Sequence, residues 1–358
     1  MIKLKDVGSF DTLPVIAMHI HEGNVPALRE ALANGWDIEQ GIALSQYTTL
    51  SPLDIALLSE QMEVLKLLVE HGVHLNVNNN PSFLTAVRYC GEEIVRYVAA
   101  HGAKLNALNN VQSGAYEQAY YGNEKNIPLI HELGLDIKKH GGKTLRTAVN
   151  KHDLKTVSFF LEHGVDINFN EPDMVYPYKA TPLTVAARNG DLAMVKYLVE
   201  HGADVTIPEK DGERAYTIAI RSKNTAMAEY LKSLEPPAFH DLENKRYALK
   251  NYKLPQDLMT FLTGDKLRID LPENDYGIEY VEFFTFTDTI EMKAGRQKLL
   301  RLSAEVDNYS DILIVWNPKH KCVGYYDEEH RDYADLCSFE EFLAHPEVYL
   351  VKILEGEL

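Results

Sequence analysis

The chain has 358 residues, 53 of them acidic and 36 basic, and a formal net charge of −17. That length accommodates about two or three domains, and the charge disfavours direct binding to nucleic acid while favouring basic surfaces. Cys90, Cys322 and Cys337 are too few and too scattered for a disulfide framework or a zinc site, which implies a reducing cytosol.

Taken in chain order, the first twenty residues are interrupted by Asp6, Asp11 and Pro14. Neither a signal peptide nor a membrane span is expected, and a cytoplasmic protein with no membrane partner follows. His19 and His21 stand two apart, so on a helix their rings diverge instead of converging on a metal. They fit a first helix running into Gly23-Asn24.

From there a helix-ending glycine recurs at Gly35, Gly72, Gly102, Gly134, Gly164 and Gly202, at spacings of 37, 30, 32, 30 and 38. An alanine in a preceding helix keeps step with it, at Ala17, Ala56, Ala86, Ala119, Ala148, Ala186 and Ala219. Two markers drifting together imply an internal repeat of about seven units. Each glycine supplies the left-handed conformation just past a helix end. His71, His101, His163 and His201 each precede such a glycine, where an imidazole meets the negative end of the helix dipole and its unpaired carbonyls.

Residues 109–137 keep Gly134 and Asp136 but place Pro128 inside the expected second helix, predicting a shortened or kinked unit. Gly142-Lys143-Thr144 matches the end of a phosphate-binding loop. The glycine required five residues earlier is Ile137, and no apolar strand precedes it, so a repeat turn is expected there. Residues 169–180 add about five residues to the usual connection, and an insertion in a repeat loop projects from one face.

Residues 180–206, ATPLTVAARNGDLAMVKYLVEHGADVT, form one complete unit. Thr181-Pro182-Leu183 opens a helix, Asn189-Gly190-Asp191 breaks it, and Met194, Val195, Leu198 and Val199 follow at helical spacing. The segment resembles the ankyrin repeat, with Thr184 in place of that motif's usual His. The resemblance implies a helical solenoid whose residues after the paired alanines, with the preceding turn tips, line a concave binding face. Mapped by motif these are Tyr47, Arg88, Tyr89, Tyr120, Tyr121, Asn150, Lys151, Tyr178, Arg188, Asn189 and Arg221. Tyr and Arg are enriched at interface hot spots. The last unit, residues 211–233, opens with DGERAYTIAI.

Pro236-Pro237 marks a boundary, predicting an ankyrin-repeat domain over 1–235 and an α+β domain over 236–358. Residues 266–271, 279–287, 311–316 and 322–326 alternate as strands, residues 255–262 read as a helix, and Ser338 with Glu341 forms a capping box for another. Leu254-Pro255 with Asp257, Phe261 and Leu262, then DILIVWNP, CVGYYD and SFEEFL, resemble the SUKH superfamily in order and spacing. Thr263-Gly264-Asp265 and Ser310-Asp311 depart from its usual loops. That resemblance implies a role like the bacterial immunity proteins that bind and neutralise polymorphic toxins, often nucleases.

Asp327-Glu328-Glu329-His330 with Asp332 is the densest charge cluster, and residues 236–358 hold 24 acidic and 14 basic side chains. A solvated acidic loop is expected, with Tyr325, Tyr326, Asp327, Glu328, Glu329 and Asp332 as a contact surface for a basic toxin domain. Trp316, ending an apolar strand, is expected in the core. No Ser/His/Asp or Cys/His grouping supports nucleophilic catalysis, so no enzyme, cofactor or metal is expected. The alternatives are a general ankyrin scaffold or effector with a second docking domain and, least favoured, a metal-dependent hydrolase around His330.

Overall fold

The computed structural model describes residues 1–357. The chain divides into two compact units, Met1–Asp166 and Ile167–Leu358.

Met1–Asp166 begins with an antiparallel hairpin of β1 (Ile2–Leu4) and β2 (Gly8–Phe10). Helix pairs follow. They are α1 (Val15–His21) with α2 (Val25–Ala33), α3 (Pro52–Leu58) with α4 (Met62–Glu70), and α5 (Ser82–Tyr89) with α6 (Glu92–Ala100). Next come α7 (Ala115–Tyr121) with α8 (Asn126–Glu132), the one-turn α9 (Ile137–His140), and α10 (Gly142–Asn150) with α11 (Leu154–Glu162). Short hairpins, β3 (Ile42–Ala43) with β4 (Thr49–Leu50) and β5 (Asn76–Val77) with β6 (Asn80–Pro81), join successive pairs. The first helices stack in series, α1 on α3, α3 on α5, α5 on α7 and α7 on α10. Ala17, Ala56, Ala86, Ala119 and Ala148 are buried along that stack, where a larger side chain would hold the helices apart.

The glycine series has the expected cause. Gly35, Gly72, Gly102, Gly134, Gly164 and Gly202 all have φ between +78° and +98°. The histidines before four of them are structural. Nδ1 of His71, His101, His163 and His201 donates to the carbonyl four residues earlier at 2.7–2.9 Å. Three of these rings also lie against the aromatic ring at that same earlier position, Tyr97, Phe159 or Tyr197. Pro128 falls in the first turn of α8, which is seven residues long where α4, α6 and α11 have nine. Gly142 opens α10, and Gly141 before it has no room for a side chain. A Cβ there would meet the Ile137 carbonyl at 2.6 Å and Phe160 at 2.8 Å.

Ile167–Leu358 holds two more pairs, α12 (Pro182–Arg188) with α13 (Leu192–Glu200) and α14 (Ala215–Arg221) with α15 (Thr225–Leu234). Thr184 explains its own presence. Its hydroxyl accepts from the Thr181 amide at 2.9 Å while Thr181 Oγ1 accepts from the Thr184 amide at 3.1 Å, closing the cap of α12. The inserted segment forms a surface loop turned by Asp173, which accepts from the amides of Val175 and Tyr176. Met174 and Val175 are exposed and Tyr176 is buried.

Beyond a 3-10 turn at Pro237–Phe239, α16 (Leu242–Ala248) and α17 (Gln256–Leu262) precede two antiparallel sheets. Their strands are β7 (Arg268–Asp270), β8 (Tyr280–Phe283), β9 (Ile290–Ala294), β10 (Gln297–Arg301), β11 (Ser303–Val306), β12 (Ile312–Asn317), β13 (Cys322–Asp327) and β14 (Asp332–Cys337). The orders are β14-β13-β12-β10-β9 and β11-β8-β7, and α18 (Phe339–Ala344) and α19 (Pro346–Glu355) follow. This is an α+β arrangement. Ile312, Ile314 and Trp316 of β12 face a core shared with α17, α18 and α19, while Leu313 and Val315 face Met292 and Leu299. Trp316 is buried and its Nε1 donates to the Tyr252 carbonyl at 2.9 Å. The strand expected over 279–287 ends at Phe283 and turns into a 3-10 segment, Phe286–Asp288.

Within this unit α14 packs on β11, and Ile220 joins a cluster of Phe284, Ile290 and Ala304. The sheets thus cover the last helix pair where a solenoid otherwise needs a polar capping repeat. No helix among the described residues is long and apolar enough to cross a membrane.

Candidate functional site

The site residues read from the sequence gather at three places. The first is in Met1–Asp166, a groove of about 700 Å³ whose lining includes Arg88, Tyr89 and Tyr121 with Lys5, Asp6 and Glu60. Arg88 and Tyr89 end α5, and Tyr121 ends α7 in the following pair. The two helix ends approach closely because Gly122 offers no Cβ. One placed there would lie 2.1 Å from the Arg88 carbonyl oxygen. Arg88 is fixed on both sides, its Nη1 donating to Gln118 at 3.1 Å and its Nη2 to Asp6 at 3.1 Å. Lys151 Nζ stands 4.9 Å from the centre of the exposed Tyr121 ring and 5.2 Å from that of Tyr120.

Tyr120 itself is only 5% exposed, and burial pushes its hydroxyl pKa upward. Its place on the binding face is therefore corrected to a packing role. Tyr47 stands alone on the turn between β3 and β4, 89% exposed, and Asn150 and Asn189 are exposed at helix ends.

The second place is in Ile167–Leu358, a groove of about 920 Å³ that collects Tyr178, Arg188 and Arg221 from the helical part and Tyr326 and Glu328 from β13 and its turn. Here the arginines are engaged. Arg188 Nη2 donates to Glu209 at 2.6 Å, and its guanidinium lies 5.0 Å over the Tyr178 ring. Glu213 is approached by Arg221 at 3.0 Å, Arg301 at 3.3 Å and Arg188 at 3.6 Å. Burial drives the carboxyls of Glu209 and Glu328 up to about 7 and raises that of Asp211. Glu209, Asp211 and Glu213 bring oxygens within 4.8 Å of one another, spacing suited to a cation. Three guanidiniums already supply that positive charge, so the chemistry of the set is that of an internal ion network.

The third place is a cavity of about 510 Å³ lined by Tyr325, Asp327, Glu329, His330 and Asp332 together with Asp311. Asp327, Glu329 and Asp332 of the expected surface line it, but Tyr326 and Glu328 line the second groove instead, and Tyr325 is only 7% exposed and belongs to the sheet core, corrections to their expected roles. His330 is bound within the cluster, its Nδ1 2.8 Å from Asp327 Oδ2, which raises the imidazole pKa. Burial works against the Asp327 carboxylate, but hydrogen bonds from the His330 side chain and backbone outweigh it and hold its pKa low. Among the described residues, His330 is not one of those whose ligand atoms converge.

The ion network escapes a sequence reading because Glu213 and Arg301 are 88 residues apart. Glu209, Asp211 and Glu213 were in plain view as alternating acids before a helix. Nothing local distinguishes such a run from a solvated loop.

A family model for ankyrin repeats matches residues 145–241 in three copies. A protein of Acanthamoeba polyphaga mimivirus named for ankyrin repeats, R598, is 25% identical over 113 residues. The match takes in 32% of this chain and 36% of that protein, so it spans about a third of the relative's length. The ankyrin repeat domain of human ASB11 aligns with 63% of this chain and 99% of its own, at 19% identity and a TM-score of 0.48. Residues 145–241 carry ankyrin repeats, units that imply a protein-binding role.

Proposed function

We propose that this chain is a non-catalytic protein-binding protein of the immunity type, which neutralises a basic toxin domain by covering it. The observation that carries the binding part is the groove of Arg88, Tyr89 and Tyr121. Its lining offers Arg and Tyr, the side-chain types that interfaces favour, at positions that the ankyrin resemblance assigns to a binding face. The toxin part rests on the resemblance of residues 239–358 to the SUKH superfamily. The acidic rim of Asp327, Glu329 and Asp332 fits it, being complementary to a basic, nuclease-type surface. Direct nucleic-acid binding has no support in a chain of net charge −17.

A gene for an immunity protein is expected to lie beside that of its toxin, and the test is survival of cells expressing such a toxin, with and without this chain. Rescue by the full-length protein, weakened by Asp327→Asn with Glu329→Gln and Asp332→Asn, is the expected result. A well-expressed chain that gives no rescue against a toxin that does kill removes the immunity reading. A general ankyrin scaffold would then stand in its place.

A further inference from the structure

The groove beside Arg88 is partly filled by the chain itself. The β1–β2 hairpin pairs Ile2 with Phe10 and Leu4 with Gly8, and its turn is closed by the Val7 amide donating to the Leu4 carbonyl at 2.8 Å. Two-stranded hairpins are marginal by themselves in water. This one is anchored by Leu4, which is fully buried, and Phe10, which is 9% exposed. The anchoring leaves the tip, Lys5-Asp6, to make contacts of a different kind. Lys5 Nζ reaches Glu60 Oε1 at 2.8 Å. Asp6 Oδ2 accepts from both Arg88 Nη2 and Tyr89 Oη at 3.1 Å. A basic and an acidic residue, adjacent in sequence, thus occupy an acidic and a basic subsite side by side.

The two halves of that contact differ in how firmly they are held. On the receiving side, Gln118 holds Arg88 from the next helix pair, and the Gly91 amide donates to Glu60 Oε2 at 3.2 Å. On the hairpin side, both tip residues are substantially exposed, and exposed ion pairs stabilise little. The subsites are preset and their occupant is weakly held. Beyond the tip the groove continues to Tyr121 and Asn123.

We propose that Lys5-Asp6, which sits in a turn with Lys5 at φ 37°, is an internal stand-in for a partner's turn segment bearing the same adjacent cation–anion pair. Glu60 reads the cation, Arg88 and Tyr89 read the anion, and Tyr121 takes the side chain that follows. The proposal rests on the protein-binding reading of the helix array and assigns its specificity. The hairpin then acts as a displaceable cover. A partner must compete with the tip, and a segment lacking either charge does not displace it.

The test uses a displayed library of random twelve-residue peptides, selected separately on the full chain and on its Lys5→Ala/Asp6→Ala form. Recovered peptides are expected to carry Lys or Arg directly before Asp or Glu. They should bind the double variant about three- to tenfold tighter than the wild type, the advantage of removing two exposed ion pairs. Arg88→Ala and Glu60→Gln should each abolish selection. If Arg88→Ala perturbs folding, Arg88→Lys keeps the charge and loses the fork, and should weaken binding at least fivefold, roughly the cost of replacing a guanidinium donor pair. Peptides without the pair, or with equal affinity for both chains, overturn the assignment. If such peptides still depend on Tyr121, the protein-binding reading stands and only the role of the hairpin falls. Recovery of no peptide from either chain overturns the proposal, leaving the toxin-survival experiment to decide the function by itself.

Discussion

Arg301 on β10 and Glu213 in the turn before α14 meet at 3.3 Å with side chains only 3% and 2% exposed. Arg301 also donates to the carbonyls of Ser303 and Ala304, and Glu213 also receives Arg221. A buried pair of this kind is held by hydrogen bonds on every side, so removal of one partner strands a charge in the interior. Glu213→Ala is expected to destabilise Ile167–Leu358 by about 3–5 kcal/mol in urea unfolding. The double change Glu213→Ala/Arg301→Met should cost less than Glu213→Ala alone. A double variant that is worse than either single change would contradict the pairing.

The same network makes stability depend on pH. Burial pushes Glu328 up to about 7 from an ordinary 4.5, with Arg301 and Arg221 opposing the shift and Asp211 and Glu213 adding to it. The folded chain therefore holds a proton that the unfolded chain releases between those values. Its stabilising contribution is complete below about pH 4.5 and is lost as the pH rises through about 7. Thermal unfolding should show Ile167–Leu358 weakening from about pH 4.5 to about pH 7, with Glu328→Gln flattening the slope and adding about 1–2 kcal/mol at the upper end. An unchanged slope in the variant would rule Glu328 out as its source.

A chain ending at Glu235 should lose more than the sheets. Phe284, Ile290 and Ala304 cover Ile220, and Lys223 is held by Glu282 and Glu305 at 3.2 and 2.8 Å. Without them α14 exposes its outer side, so amides of α14 and α15 should exchange at least about tenfold faster than in the full chain. Retained protection would show that the last pair stands without its cover.

How much of this was legible in the sequence depends on range. The left-handed glycines, the Ser338–Glu341 cap and the strand expected over 311–316 were readable because each answers a local demand of the backbone or is a short, unbroken apolar run. Strand β14 was not. It lies at a sheet edge, half-exposed along most of its length, so DYADLC carries no alternation to read. The hairpin of β9 and β10 does alternate, with Ile290 and Met292 inward and Glu291 and Lys293 outward, but over too few residues to separate it from a loop. At the candidate sites, Arg88 and Tyr89 were found through their place in a repeat. Their partners Lys5 and Asp6 were not, since nothing near residue 5 points to residue 88.

Gly122→Ala tests the close approach that shapes the Arg88 groove. The added methyl would sit 2.1 Å from the Arg88 carbonyl oxygen and 2.5 Å from its Cγ, so α5 and α7 must separate. A loss of about 1–3 kcal/mol in the unfolding of Met1–Asp166 is expected, the usual cost of overpacking. A neutral result would mean the helix ends are free to slide apart.

The central proposal is that this chain binds a basic toxin domain, and calorimetric titration with a purified toxin of that class tests it most directly. The account predicts a stoichiometric complex whose affinity falls as salt is raised, because acidic surface meets basic surface. An active toxin that gives no heat and no complex at any salt concentration would contradict it.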